Sequence, residues 1–259
     1  MSSRLDVSLG AALILAVLLA CANASPVFRL DATGADSSST WVQGRQILTR
    51  TADSLTLAIA YERSTSRDHV FRMVVRNRSD SAVLVDPTDV VARVATRRLS
   101  GVPTDSLPSD VVRERVQARD PEAKILEADL RQSREQAEAT NAAAFNLLAV
   151  TLDAAGDAAA EASGNRTEQE RTTDAVEDAA FAERTERQAA RRRRTISALD
   201  RTRRLWSSVA FRKTTLPPGT HAGGRLYVPI VEDGRFVELR IEAAPHVFSF
   251  VFQQQRYDP

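Results

Sequence analysis

Cysteine is all but missing from this chain: Cys21 stands alone in 259 residues, which excludes a disulfide-stapled scaffold. Histidine is nearly as scarce. His69, His221 and His246 lie far apart, with no HExxH and no pair one helical turn apart, so no metal site is expected and surface or edge-strand positions are their default. Aromatic residues are 5% of the chain, too few to mark a ligand pocket in the sequence. Nucleophile motifs are lacking too. There is no Gly-x-Ser-x-Gly, and Gly219-Thr220-His221-Ala222-Gly223-Gly224 lacks the Lys-Ser/Thr of a phosphate loop and reads as an inter-strand turn. No sign of charge dominates either: 35 basic against 34 acidic side chains give a net charge of +1, which removes steering toward nucleic acid as a partner. These absences predict a chain with no enzymatic activity and no cofactor.

What is present begins at the amino terminus. Residues 9–20 are twelve without a charge, preceded by Arg4, as in a secretory signal. As a helix this run rises roughly 18 Å, short of the ~30 Å hydrocarbon core, so a permanent span is the poorer reading. It ends in Leu18-Leu19-Ala20-Cys21, which resembles the lipobox of bacterial lipoproteins. The resemblance implies cleavage after Ala20 and acylation at Cys21; two or more acyl chains anchor stably where one does not. Ala22 in place of Asp points, within that resemblance, to the outer membrane. A plain Ala-x-Ala cleavage site, kept open by Ala22-Asn23-Ala24, is the alternative. Residues 21–40, ending in Ala35-Asp36-Ser37-Ser38-Ser39-Thr40, are small and polar and read as a flexible tether with an apolar patch at Val27, Phe28 and Leu30.

From Trp41 the period is two. Leu55, Leu57, Ile59 and Tyr61 alternate with small residues, and Phe71, Met73 and Val75 follow after the loop 64–68, predicting a hairpin. More strands are expected near 43–49, 82–86 and 89–96, with 41–104 as the first half of a sandwich. Beyond residue 208 the pattern returns in 226–230, 236–241 and 247–252, the second half. Asp233-Gly234 is the strongest hairpin signal. Asp86 and Asp89 read as turn-capping carboxylates, since calcium needs about six to eight oxygens.

Between these halves, over 105–207, Ala, Glu and Arg dominate. Asp120-Pro121-Glu122 reads as N-cap, N1 proline and first-turn acid. Leu126, Ala137, Leu148 and Ala159 recur every eleven residues, the period of a nearly straight helix. A break near Gly156–Asn165 predicts two helices of some forty residues in an antiparallel hairpin. Charge agrees: 122–138 holds five acids against three bases, and 183–204 holds nine arginines against three acids. Arg191-Arg192-Arg193-Arg194 is the sharpest local feature, a candidate contact for an anion or a partner, set against a solvated helix face in a chain with only two lysines.

Either β half alone is marginal, so both are expected to form one antiparallel sandwich of seven or eight strands, an α+β fold interrupted by the helical hairpin. The segment 68–87 and the pair Leu216-Pro217-Pro218-Gly219 and Gly224-Arg225-Leu226-Tyr227-Val228-Pro229 resemble immunoglobulin-like modules of uncharacterised bacterial lipoproteins. The resemblance covers some 110 residues and carries no catalytic residues. It implies a lipid-anchored envelope protein that binds or scaffolds another envelope protein through sandwich and arm. The alternatives are a periplasmic enzyme or solute-binding protein with a pocket invisible in sequence, and a homo-oligomer formed through the hairpin.

Overall fold

The computed structural model describes residues 26–33, 39–97, 101, 105–162 and 168–259. In chain order its elements are β1 (Val27–Ala32), β2 (Ser39–Val42), β3 (Arg45–Ala52), β4 (Leu55–Ser64), β5 (Asp68–Asn77), β6 (Val83–Val85), β7 (Val90–Ala95), β8 (Val112–Gln117), α1 (Pro121–Ala162), α2 (Glu168–Ser208), β9 (Thr214–Leu216), β10 (His221–Pro229), β11 (Phe236–Ala243) and β12 (His246–Tyr257). The content is mixed α and β: twelve strands among the described residues, in antiparallel sheets, and two helices. One five-stranded sheet has the order β1-β12-β11-β7-β8, the other β10-β5-β4-β3-β2, and β6 pairs with β9. Two compact units result: residues up to Val85 with Asp89–Ala118 and Thr215–Pro259, and Asp86–Thr88 with Arg119–Thr214. Strands from both ends of the sequence thus share one unit.

In the β unit the sheets face each other through the inward positions of the period-two pattern. Leu57, Ile59, Phe71, Met73, Leu239, Ile241, Phe250 and Phe252 are fully buried, and the Phe71 and Phe252 rings, one from each sheet, lie 5.1 Å apart. The arrangement is sandwich-like, with β12 second from the edge, in keeping with its apolar run on both faces. The outer face of the first sheet is also covered. Leu107 packs with Ala95, Phe236 and Val251, and beneath that cover Arg93 and Glu238 face each other across β7 and β11. Their ion pair is 2.8 Å long, and Glu238 further accepts from the Leu107 amide (3.0 Å) and the Ser249 hydroxyl (2.9 Å).

Several sequence expectations shift. Residues 21–40 do not form a tether throughout: β1 lies there, with Phe28 and Leu30 buried, as does the start of β2. Two inward side chains were too short a pattern to read as a strand. The helical stretch expected over 105–207 begins with β8, whose Arg113, Glu114 and Arg115 are exposed on an edge strand that needs no apolar face. Asp233-Gly234 does not turn a hairpin. It carries the chain from β10 in one sheet to β11 in the other, and glycine is required there for space, because a Cβ would sit 2.7 Å from Val94 Cγ1 and 3.0 Å from the Val231 carbonyl. The paired turn over 64–68 does form, between β4 and β5.

In the helical unit, α1 runs 42 residues and α2 41, each about 60 Å long. Asp120 Oδ1 accepts from the Glu122 amide at 2.8 Å, capping α1 ahead of Pro121. Asp129 pairs with Arg203 at 3.0 Å, and Glu122 accepts two hydrogen bonds from Arg212, at 2.6 and 2.9 Å. These pairs join the start of α1 to the end of α2 and beyond. They are exposed, so they set register more than stability. Gly156 lies inside α1.

The buried pair generates a prediction. Replacing Glu238 by Ala strands the Arg93 guanidinium in a covered site and is expected to lower unfolding free energy by about 3–5 kcal/mol, read in urea at neutral pH. A loss below about 1 kcal/mol, the range of a solvated ion pair, would show that the pair is open to water.

Candidate functional site

The most built-up polar constellation lies at the end of the β unit where β1 approaches β3 and β4. A cleft of about 380 Å³ opens there, with Phe28, Leu30, Tyr61 and Ser64 among its walls and Trp41 and Arg45 beside them. Backbone geometry explains how Ser64 comes to face inward. The pairing of β4 with β5 shifts register between Tyr61 and Arg63, so one extra residue enters β4 at Glu62. In an unbroken strand Tyr61 and Ser64 would point to opposite faces; the bulge restores both to the same one. Ser64 then sits directly opposite His69 across the hairpin. The turn between them is closed by Thr65, whose amide donates to the Asp68 carbonyl (2.8 Å) and whose hydroxyl accepts from the Asp68 amide (2.9 Å).

A chain of side-chain hydrogen bonds follows. Tyr61 Oη is 2.8 Å from Ser64 Oγ, Ser64 Oγ is 2.7 Å from His69 Nδ1, and His69 Nε2 is 2.8 Å from Gln254 Oε1. Proton directions are fixed from the far end. Gln254 Nε2 donates to the carbonyls of Val231 and Gly234, both at 2.8 Å, so its oxygen must be the atom facing His69. An amide oxygen only accepts; His69 therefore carries its proton on Nε2, and Nδ1 is left as an acceptor. Ser64 Oγ–H fills it. With the serine proton directed at Nδ1, Tyr61 Oη–H is the donor of the 2.8 Å contact with Ser64 Oγ, and the Phe28 carbonyl, at 3.2 Å, is a second, longer acceptor for it. The constellation joins both sheets, since His69 is on β5 and Gln254 on β12.

His69 is 1% exposed and ringed by Phe28, Tyr61 and Phe71, so it is neither a surface nor an edge-strand residue, contrary to the default drawn from sequence. Burial pushes its imidazole below the ordinary value, outweighing the opposing effects of Gln254 and Asp68. Burial likewise raises the Tyr61 hydroxyl. Beside the cleft, Glu62 has a side chain 3% exposed and meets Arg72 (2.9 Å), Arg225 (2.6 Å) and Arg45 (3.5 Å). Burial alone would raise its carboxyl, but the hydrogen bonds from Arg72 and Arg225 prevail and hold it below the usual carboxylate range.

The sequence-derived candidates lie elsewhere. Cys21, with the signal and lipobox, falls outside the described residues. Arg191, Arg193 and Arg194 are exposed on α2 and Arg192 is half-buried; among the described residues no carboxylate pairs with their guanidinium groups. His221 begins the edge strand β10 in the open, and His246 Nε2 lies 3.3 Å from Asp53 Oδ2. The three histidines are not brought together, and no cluster of three metal-ligating side chains occurs among the described residues. Asp86 accepts from the Thr88 amide and hydroxyl (2.9 and 2.6 Å) and pairs with Lys213 (2.9 Å), so it caps a turn. Gly219, at φ +74°, completes the turn 217–220, whereas Gly223 and Gly224 belong to β10.

A second candidate surface lies on α1. Its half-buried positions are Gln132, Glu135, Ala139, Ala142 and Asn146, following the buried Ala128 at three- and four-residue spacing. These small and polar residues form the face that meets α2. Leu126 (59%), Leu130 (51%), Phe145 (72%), Leu148 (56%) and Leu152 (64%) lie about half a turn round the helix and are exposed. The eleven-residue stripe legible in the sequence is therefore not the seam between the two helices.

No family model matches the chain, and neither a curated protein nor a solved structure does.

The buried histidine gives a pH signature. Its folded value is lowered, so the unfolded chain takes up the proton first as pH falls. This contribution to stability is complete above 6.5 and is lost as pH drops from there toward the lowered folded value. Urea midpoints of the wild type are expected to fall across that window, and a folded His69→Gln variant to show a shallower fall. Parallel curves for the two would contradict a buried neutral imidazole.

Proposed function

We propose that this chain is an exported lipoprotein, acylated at Cys21 and held at a bacterial outer membrane, that binds or scaffolds another envelope protein. Its body is read as an immunoglobulin-like sandwich interrupted by an antiparallel helical hairpin. The ion pairs Asp129–Arg203 and Glu122–Arg212 support the hairpin, because they bring the beginning of one helix to the end of the other. For the anchor, the support is the placing of the only cysteine directly after Leu18-Leu19-Ala20.

The observation that carries the binding reading is the uncovered stripe of α1. Five large apolar side chains, each more than half exposed, lie within about 100° of arc on α1, while the exposed Leu147 and Val150 lie elsewhere round the same helix. A partner helix laid along that face would bury Leu126, Leu130, Phe145, Leu148 and Leu152 together, in the manner of an amphipathic helix in a groove. Arg191–Arg194 would supply charged contacts to the same partner. The stripe favours one further reading, that the partner helix comes from a second copy of this chain.

The test expresses the full chain, Cys21→Ala, and Leu148→Asp/Leu152→Asp with metabolic acyl labelling, membrane fractionation and lysine crosslinking. The anchored wild type is expected to carry label, sediment with membranes and crosslink to a partner. Cys21→Ala loses label and membrane, and the stripe variant keeps both but loses the crosslink. An unlabelled, soluble wild type overturns the anchor, and a crosslink that survives the stripe variant overturns the binding face. A monomeric mass at micromolar concentration counts against self-association and leaves the envelope partner.

A further inference from the structure

We propose that Ser64 is an acylatable nucleophile, with His69 as its general base and Gln254 as the positioning residue, and that the cleft beside it takes a small carboxylic ester. The inference stands on the β unit alone and is independent of the anchor and of the helix face.

Four observations carry it. First, proton accounting along the relay leaves one arrangement: the two carbonyls at Gln254 Nε2 fix its oxygen toward His69, the imidazole proton sits on Nε2, and the free lone pair of Nδ1 points at Ser64 Oγ, 2.7 Å away. A serine hydroxyl donating to a neutral imidazole whose other nitrogen is held by a third group is the activation pattern of nucleophilic serines. Second, Ser64 lines open space: it forms part of the wall of the ~380 Å³ cleft. Third, the register shift at Glu62 is what turns Ser64 toward His69, and bulges are over-represented where a strand must re-aim a functional side chain. Fourth, Arg29, Arg45 and Arg63 outnumber Asp31 and Glu62 around the cleft, so the surroundings favour developing negative charge.

The step balances without any co-reactant other than water. Ser64 Oγ attacks the carbonyl carbon and its proton passes to His69 Nδ1. The bond to the alcohol oxygen breaks, and the alcohol leaves with that proton. Water, deprotonated by Nδ1 in turn, cleaves the acyl-serine and regenerates the hydroxyl as the acid departs. Gln254, unlike a carboxylate, brings no charge to the imidazolium that forms, so its part is to hold tautomer and ring orientation.

The test treats the folded full chain with a fluorophosphonate, in which Ser64 Oγ would bond to phosphorus, fluoride would leave and the serine proton would go to His69. Adducts are mapped by peptide mass spectrometry. A positioned base contributes roughly 10²–10⁴-fold, so Ser64 is expected to label at least about 100-fold faster than the exposed Ser66. Ser64→Ala should abolish the adduct; because it leaves the buried His69 Nδ1 without its donor, it is also expected to lower the unfolding midpoint, and it is compared under conditions where it remains folded. In a folded His69→Gln variant, which lacks the base, labelling at Ser64 should fall toward the rate of Ser66. Labelling absent from folded wild type, or equal at Ser64 and Ser66, overturns the proposal, because a merely structural relay would leave the serine no more reactive than any other.

Discussion

One hydrogen bond, from His69 Nε2 to Gln254 Oε1, joins the two sheets of the β unit through their shared interior, between positions 185 residues apart in sequence. Much at that end of the unit depends on it. Burying an amide and an imidazole among Phe28, Tyr61, Phe71 and Phe252 would be strongly unfavourable if either were left unpaired. Here every polar atom of the relay has a partner, and the fixed donors at one end dictate the protonation of the rest. The crossing from β10 to β11 is part of the same device, because the Val231 and Gly234 carbonyls that orient Gln254 lie in it. Gly234 is needed there so that the backbone can come close to Val94.

The same logic applies to the buried Arg93–Glu238 pair. Each is a charge taken out of water, tolerable because the carboxylate gathers a guanidinium, an amide and a hydroxyl. Such networks define which strands adjoin more sharply than apolar packing alone can. In the helical unit the division of labour is reversed. Small and polar residues lie on the half-buried face of α1, and the large apolar residues Leu126, Leu130, Phe145, Leu148 and Leu152 are exposed on another.

Much of the β pattern was legible because half-buried strands write a period of two. Leu55, Leu57, Ile59 and Tyr61 point inward as that alternation requires, and the break between β4 and β5 lies where Ser64–Asp68 placed it. The helices were legible from their composition and from the Asp120-Pro121 start. Legibility ended where geometry is not periodic. The bulge at Glu62 cancels the parity that sequence reading assumes, so Ser64 and His69, five residues apart, read as a loop serine and a strand-start histidine. Gln254 carries no sequence mark at all, since its role comes from a partner across the core. The eleven-residue stripe was real as a pattern, yet a pattern cannot say whether the face it marks is turned to a neighbouring helix or to solvent.

The measurement that tests the central claim most directly is the protonation of His69 in the folded chain, read by long-range proton–nitrogen correlation at neutral pH. The account requires a neutral ring protonated on Nε2, with Nδ1 unprotonated and accepting a hydrogen bond, and with the Nε2 proton protected from exchange. A charged ring, or a proton on Nδ1, would contradict it, because Ser64 would then face a donor and the interior link to Gln254 would lack its hydrogen.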